Sequence, residues 1–283
     1  MKILDTHVHF WDVAALRYPW IERGSFFDRT FLTQDYLRAS RDRPVAGLIF
    51  VEADADRTCT LQEARWVHSL CATEPAIRGI VARVALTGNA SVIEELDTLA
   101  AMPLVRGIRD NIQGHPPGFA TQAAFVRGVR EVGNRGLHFE LCIQHHQLSE
   151  TLELARRCAE MPLVLDHCAK PDIRGAAREP WLSLIRQLAA LPHLVCKISG
   201  LVTEADWQRW QPEDLLWYAR QAAEAFGPDR ILFGSDWPVC ELAGGLARWL
   251  PVAEALAAPW SESERESFFF GNAQRVYRLN DGP

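Results

Sequence analysis

Short apolar runs alternate with longer amphipathic stretches along this chain of 283 residues. The apolar runs are rich in Val, Ile and Leu, a composition typical of strands that are buried on both faces. They predict strands at 2–9, 45–52, 77–84, 104–110, 137–144, 162–167, 193–199 and 230–236. The stretches between most of them predict helices over 60–72, 92–101, 121–132, 148–160, 181–191 and 212–226, and a further helix over 261–279.

Strands and helices that take turns in this way define the predicted fold class, which is α/β. Eight strands, each followed by a helix, is the count of a closed parallel barrel, so we predict one (β/α)8 (TIM) barrel domain over residues 1–283. A doubly wound open sheet is the alternative. No Gly-rich phosphate-binding loop follows the first strand, which argues against a dinucleotide-binding fold.

Composition and charge restrict the classes of partner. The chain is 48% hydrophobic and 23% charged, which is enough apolar material for a large core. A net charge of −6 and the lack of any Lys/Arg run argue against a nucleic-acid partner. No signal-peptide pattern and no apolar stretch of membrane-spanning length is present, so the sequence predicts a cytoplasmic protein without a membrane partner. It leaves open whether the protein forms a homo-oligomer.

The seven cysteines are odd in number and lack C-x-x-C spacing. Several of them lie in apolar strand-like runs. We therefore predict reduced, mostly buried cysteines rather than a disulfide framework or a zinc knuckle.

The first strand ends in two histidines, His7 and His9, with one residue between them. Side chains alternate along a strand, so both imidazoles are expected on the same face, about 6.6 to 6.8 Å apart. That spacing allows them to converge on one metal ion or one substrate. Taken alone, the pair is equally consistent with two partly buried histidines that only make hydrogen bonds.

Other predicted strands also end in polar or ionisable residues. In a barrel the carboxyl ends of the strands gather the active site. An apolar strand gains nothing from a buried charge at its end unless that charge is paired, coordinated or used. The residues at these ends are His7, His9, Glu52, Arg109, Asp110, Gln144, His145, His146, Asp166, His167, Lys197, Ser199 and Asp236.

Four segments carry a resemblance to a known family: DTHVHFW, LVLDHCAKP, LVCKISGL and ILFGSDWPV. Together they resemble the amidohydrolase superfamily, specifically its amidohydrolase-2 branch. Within that branch the chain is most similar to the sugar-acid lactonases that act on L-fucono- and L-rhamnono-lactones. Pyrone-dicarboxylate lactonases and sulfomuconolactone hydrolases are more distant. The resemblance runs from Asp5 to the carboxyl terminus, and it is the combination of motifs that is specific.

The resemblance implies a lactonase that opens a small sugar-acid lactone by adding water. It implies a reaction centre of His7, His9, His167 and Asp236, in which Asp236 is the general base. Read from the residues alone, Asp236 could instead cap a helix, and His167 could be a core histidine bonded to a backbone carbonyl. Decarboxylation of an aromatic acid at a mononuclear zinc, and a non-catalytic binding protein on the same barrel, are the alternative functions.

The residue at the end of the fourth predicted strand limits the number of metal ions that the site could hold. The binuclear relatives carry a carboxylated lysine there, but this strand ends in Arg109, whose guanidinium stays protonated and cannot bridge two ions. His7, His9 and Asp236, with Glu52 or His167 as a further ligand, could hold one divalent ion such as zinc. A metal-independent site stays open, because protein donors such as His and Arg could stabilise the oxyanion.

The remaining candidates face the substrate, which we expect to be a small, neutral, hydroxyl-rich lactone rather than a dicarboxylate. Aromatic side chains could stack on a sugar ring, or could only pack the long first loop down. Lys197 could instead form an ion pair with Glu140 inside the barrel. The predicted substrate-binding residues are Arg109, Gln144, Lys170, Lys197, Trp237 and Trp20.

Overall fold

The computed structural model describes residues 2–88 and 90–279. Its strands are parallel and form one sheet in the order of the sequence. They are β1 Leu4–Val8, β2 Gly47–Val51, β3 Ile77–Arg83, β4 Val105–Arg109, β5 His138–Leu141, β6 Leu163–Leu165, β7 Leu194–Ile198 and β8 Ile231–Phe233. The backbone of β1 also bonds to the segment that follows β8, through Asp236 N to His7 O at 2.9 Å and His9 N to Trp237 O at 2.8 Å. These bonds bring the first and last strands together, and the predicted (β/α)8 barrel is confirmed.

Helices separate the strands along the chain. They are α1 Thr33–Ala39, α2 Thr60–Leu70, α3 Val92–Ala100, α4 Ala123–Asn134, α5 Leu148–Arg157, α6 Trp181–Ala189, α7 Pro212–Phe226, α8 Gly245–Ala257, α9 Glu262–Glu266 and α10 Asn272–Val276. The predicted last helix is interrupted by a π-helical turn at Ser267–Gly271. The sequence analysis missed α1, which is short, and α8, which begins with Gly245 and contains Pro251.

Two apolar regions hold the barrel together. Side chains of strands and surrounding helices, such as Phe50, Val67 and Val129, share the main core. A second cluster lies among the strands, where Tyr277 and Leu279 of the carboxyl-terminal segment pack with alternate strand residues. Those strand residues are Leu4, Ile49, Val51, Val81, Val164 and Leu232.

The cysteines and the helices test two of the sequence expectations. All seven cysteines are free, and five of them are buried, as predicted. No helix within residues 2–88 and 90–279 is long and apolar enough to cross a membrane.

Candidate active site

The two histidines of β1 reach the barrel mouth through a local irregularity. Asp5 pairs with Leu48 and Val8 pairs with Phe50, so β1 carries one more residue than β2 over this interval. The carboxylate of Asp5 accepts a hydrogen bond from His7 N at 3.1 Å and supports the bulge. The imidazoles of His7 and His9 meet edge to face, with ring centroids 4.9 Å apart.

His167 and Asp236 enter the same site from the ends of β6 and β8. Both have left-handed backbones, with φ of 54° and 60°. Such a conformation costs a non-glycine residue on the order of 1 to 3 kcal/mol. Oδ1 of Asp236 lies 3.4 Å from Nε2 of His9, 3.8 Å from Nε2 of His7 and 3.9 Å from Nε2 of His167. The carboxylate is therefore surrounded by three imidazoles.

The second nitrogen of each outer imidazole is fixed by the protein. His9 donates from Nδ1 to the carbonyl of Val51 at 2.8 Å, and His167 Nδ1 pairs with Ser199 Oγ at 2.8 Å. Because a carbonyl only accepts, a neutral His9 turns the lone pair of Nε2 toward the carboxylate of Asp236. Two acceptors that face each other at 3.4 Å repel unless a cation lies between them.

A metal ion fits this donor set. Zinc bonds of about 2.0 to 2.2 Å in tetrahedral geometry separate two ligand atoms by about 3.4 Å, and the Nε2 of His9 lies 3.4 Å from Asp236. The ligand atoms of His7, His9 and Asp236 all lie within 4.8 Å of one another. The carbonyl behind His9 is the outer contact that metal-binding imidazoles usually make.

A second acidic group beside this centre already has cationic partners. Asp166 lies with His7 and His167 in another cluster of the same size. Its carboxylate contacts Lys197 Nζ at 3.1 Å and Arg109 Nη1 at 3.3 Å. Two protein cations thus occupy the side of the site where a second metal ion would have to lie.

Arg109 also determines the position of Glu52. The guanidinium donates from Nε to Glu52 Oε1 at 2.6 Å and from Nη2 to the Glu52 carbonyl at 2.7 Å. Burial alone would raise the pKa of Glu52, but Arg109 and Arg83 beside it lower it. The Glu52 carboxylate faces Arg109 rather than the imidazoles, so it does not join the candidate metal ligands as the sequence suggested.

The ionisable side chains of the site differ in charge: one carboxylate is ionised and the imidazoles beside it are neutral. Burial opposes ionisation of Asp236, yet His167 and His9 hold the pKa of its carboxyl below its usual range. Burial lowers the pKa of His167 to about 4, against the opposing effect of Asp236. Burial and Lys197 hold the pKa of His7 well below its usual value. Near neutral pH the geometry therefore provides an ionised Asp236 between neutral His7 and His167.

A cavity of about 260 Å³ opens onto this centre. Two tryptophans of the first loop and several polar side chains form its walls, which is the usual mixture in a small-ligand site. Its lining residues are His9, Trp11, Trp20, Ala53, Asp54, Arg109, Asn111, Gln113, Cys142, His167, Lys170, Asp236 and Val239.

Residues 4–279 match the amidohydrolase family. The chain belongs to the amidohydrolase family. An L-fucono-1,5-lactonase from Burkholderia multivorans is 34% identical to it, over 98% of this chain and 96% of that protein. An L-rhamnono-gamma-lactonase from Scheffersomyces stipitis is 24% identical, over 98% of this chain and 99% of that protein. The resemblance seen in the four motifs is confirmed.

Among solved structures, an amidohydrolase from Burkholderia multivorans with bound zinc matches this fold with a TM-score of 0.89 at 32% identity. The match covers 99% of this chain and 100% of that one. That relative and the His/Asp group described above both support a metal-binding centre in this branch of the family.

In this amidohydrolase the structure brings some of the expected substrate-binding residues to the cavity and leaves others outside. Arg109, Lys170 and Trp20 line it. Lys170 donates from Nζ to Gln113 Oε1 at 2.5 Å, and Trp20 donates from Nε1 to the Ala53 carbonyl at 2.7 Å.

Lys197 lies inside the barrel, not in the cavity wall. It is fully buried, and its Nζ lies 2.5 Å from Glu140 Oε2 and 3.1 Å from Nδ1 of His7. The ion pair with Glu140, which the sequence analysis held open as the alternative, is confirmed.

Trp237 and Gln144 do not line the cavity either, contrary to the sequence expectation. Trp237 is buried among Phe31 and Tyr36, with ring centroids 5.6 and 5.5 Å away. The backbone N–H of Gln144 is bonded to the side chain of Gln147, within a turn that follows β5. For Gln144 the reason is that β5 ends at Leu141, earlier than predicted, so strand alternation no longer fixes the direction of its side chain.

Among the polar residues of the cavity wall, the sequence analysis did not predict Asn111 and Asp54. Asn111 stands two residues after Arg109 and two before Gln113, and this spacing was a signal that could have placed it with them. Asp54 stands two residues after Glu52, but its left-handed backbone, with φ of 55°, could not be predicted from that spacing.

Proposed function

We propose that this protein is a lactonase that opens small, neutral sugar-acid lactones by adding water. The observation that carries the proposal is the carboxylate of Asp236, surrounded by three imidazoles at the base of a cavity with tryptophan and amide walls. Tryptophan faces suit the C–H faces of a sugar ring, and amides and carboxylates suit its hydroxyls. The relatives named as L-fucono- and L-rhamnono-lactonases support the same reaction class.

In the proposed mechanism, Asp236 takes a proton from the attacking water. The water oxygen adds to the acyl carbon, the ring C–O bond breaks, and the leaving ring oxygen receives a proton from the same centre. The product is the open-chain hydroxy acid. Arg109 and Lys170 stabilise the developing negative charge, and His167 lies where its Nε2 can assist the leaving oxygen.

We further propose one divalent ion, zinc, at His7, His9 and Asp236. When bound, it would lower the pKa of a water molecule and polarise the lactone carbonyl. Glu52 is not included, since its carboxylate pairs with Arg109.

We expect purified protein to carry about one metal ion per chain, because the carboxylate of Asp236 contacts imidazoles and no lysine or arginine among the described residues, whereas Asp166 contacts both Lys197 and Arg109. Chelation should lower kcat, and added zinc should restore it. Metal content measured by mass spectrometry, together with activity before and after chelation, checks this. His9→Ala should lose the ion, whereas His146→Ala, which changes an exposed histidine outside the cavity, should keep it. Full activity of protein shown to contain no metal would contradict the metal assignment.

The substrate class is tested by comparing neutral aldonolactones with dicarboxylate lactones. Among the described residues that line the cavity, the permanent cations are Arg109 and Lys170, and Arg109 is already bonded to Glu52 and Asp166. Asp54 and Asp236 would repel a second negative charge. We therefore expect kcat/KM for neutral aldonolactones to exceed that for pyrone or muconolactone dicarboxylates by about 100-fold or more.

The same comparison, extended to an aromatic acid with detection of CO2, separates the alternative functions. Preference for the dicarboxylate would contradict the proposed substrate class but not the assignment of the hydrolytic centre. Release of CO2 from an aromatic acid, without turnover of any lactone, would instead favour the decarboxylase alternative.

A further inference from the structure

One wall of the cavity presents hydrogen-bond acceptors that the proposed chemistry does not use. Asp54 follows β2, and Asn111 follows β4; both line the cavity together with Asp236. Neither is required to activate water or to hold the metal ion. Their positions relative to the reaction centre suggest a role in recognising the substrate.

Asp54 is held in a defined position. Its backbone has φ of 55°, a conformation that L residues rarely adopt. Its N–H donates to Glu52 Oε2 at 2.8 Å, and its carboxylate lies 2.5 Å from Nη1 of Arg83. Arg83 in turn donates to the carbonyl of Ala55 at 2.6 Å. The carboxylate is therefore fixed by contacts on several sides, while 40% of the side chain stays exposed.

Acceptor capacity remains on both side chains. Burial raises the pKa of Asp54, and a side-chain hydrogen bond from Asn111 is among the contacts that oppose the rise. An ionised carboxylate offers about four lone-pair sites, of which Arg83 and Asn111 use two. The Oδ1 atom of Asn111 is buried and has no hydrogen-bond partner among the described residues. A buried carbonyl oxygen in a ligand cavity is an unused acceptor, and such atoms are rare in proteins.

We propose that Asp54 and Asn111 accept hydrogen bonds from hydroxyl groups of the substrate and thereby select hydroxylated lactones over unsubstituted ones. The inference rests on the proposed lactonase activity. A hydroxyl group satisfies these acceptors, whereas a lactone without hydroxyls leaves them desolvated and unpaired. Sites built to bond a substrate hydroxyl discriminate strongly against analogues that lack it.

The test compares two lactones of one ring size, an aldono-1,4-lactone with its hydroxyls and γ-butyrolactone without them. The measured quantity is the ratio of their kcat/KM values. We expect the wild-type ratio to be about 100 or more, and Asp54→Asn to lower it about 10- to 100-fold. Asn111→Ala should lower the same ratio about 10-fold, because it removes the unpaired oxygen. Asp56→Asn is the matched control, since the Asp56 carboxylate bonds Thr58 outside the cavity.

An anchoring role for Asp54 predicts a different result. If the residue only holds Arg83, Asp54→Asn should lower kcat/KM for both lactones by the same factor, which would overturn the inference. A wild-type enzyme that hydrolyses both lactones equally well would also overturn it, with the proposed lactonase function intact. A wild-type enzyme that hydrolyses neither would overturn the function and the inference together. Thermal melts identify a variant that fails to fold, in which case the ratio measured for Asn111→Ala decides.

Discussion

Replacing Asp236 with Asn should leave the barrel folded and lower kcat for lactone hydrolysis by a factor on the order of 10² to 10⁴. The amide keeps the shape of the carboxylate but cannot accept a proton from water. The neighbouring imidazoles cannot fully substitute for it, because burial lowers the pKa of His167 to about 4 and makes it a weak base. Single-turnover and steady-state rates on an aldonolactone check this.

A matched control exists at the other end of the same strand, β8. Asp229→Asn makes the same substitution on an exposed residue that precedes β8, whereas Asp236 follows the strand. We expect this control to keep wild-type kcat. Near wild-type turnover by the Asp236 variant, with its metal content unchanged, would contradict the role of Asp236 as the base.

The pH dependence of the reaction should reflect the same electrostatics. The pKa of Asp236 is held below its usual range, so the carboxylate remains ionised as the solution becomes mildly acidic. Protonation of this base should therefore not limit the rate between about pH 5 and 7.

Much of the fold could be predicted from the sequence, because it depends on the spacing of apolar residues and on the number of predicted strands and helices. Apolar runs separated by amphipathic stretches correspond to β1 to β8 and most of the helices. The ends of the strands could not be placed as well. Predicted strands at 137–144 and 230–236 end in the structure at Leu141 and Phe233. The expectation for Gln144 relied on strand alternation, which does not extend past Leu141. Trp237 follows β8 and packs against Phe31 and Tyr36, a tertiary contact that the sequence did not reveal.

The residues of the reaction centre differ in how well the sequence predicted their positions. His7 and His9 followed from strand alternation, although the bulge in β1 did not. His167 and Asp236 were found through the family motifs, but their geometry depends on left-handed backbones at residues that are not glycine. Tertiary contacts impose such conformations, and local sequence does not reveal them.

The stability of the fold should depend strongly on Lys197, the buried cation inside the barrel. Lys197 is fully buried, and its ammonium group lies near Glu140, Asp166 and His7. Two of these partners are carboxylates, so the charge of the ammonium group is well compensated. Lys197→Met keeps the length of the side chain but leaves Glu140 and Asp166 without this cation. Breaking a buried ion pair by removing one partner costs about 3 to 5 kcal/mol.

We therefore expect Lys197→Met to lower the free energy of unfolding by about 3 to 5 kcal/mol in urea titrations at pH 7. Lys2→Met, at an exposed lysine, should change it by less than about 0.5 kcal/mol. The double variant Lys197→Met/Glu140→Gln should be less destabilised than the sum of the single changes, because it also removes one of the unpaired charges. A loss below about 1 kcal/mol for Lys197→Met would mean that the remaining contacts to Arg109, Tyr277 and His138 compensate the two carboxylates.

The pH dependence of this loss has a defined sign. Burial alone would raise the pKa of Asp166, but Lys197 and His7 hold it well below its usual value in the folded protein. A carboxyl group whose folded pKa is depressed contributes stability above its unfolded pKa of about 3.9 and loses that contribution as the pH falls. Lys197→Met removes the largest source of the depression. The difference in stability between wild type and variant should thus be largest near neutral pH and shrink as the pH falls, because Asp166 of the variant takes up a proton at a higher pH than Asp166 of the wild type. Unfolding curves measured from pH 3 to 7 would show this convergence, and a difference that stays constant over the range would assign the loss to packing rather than to charge.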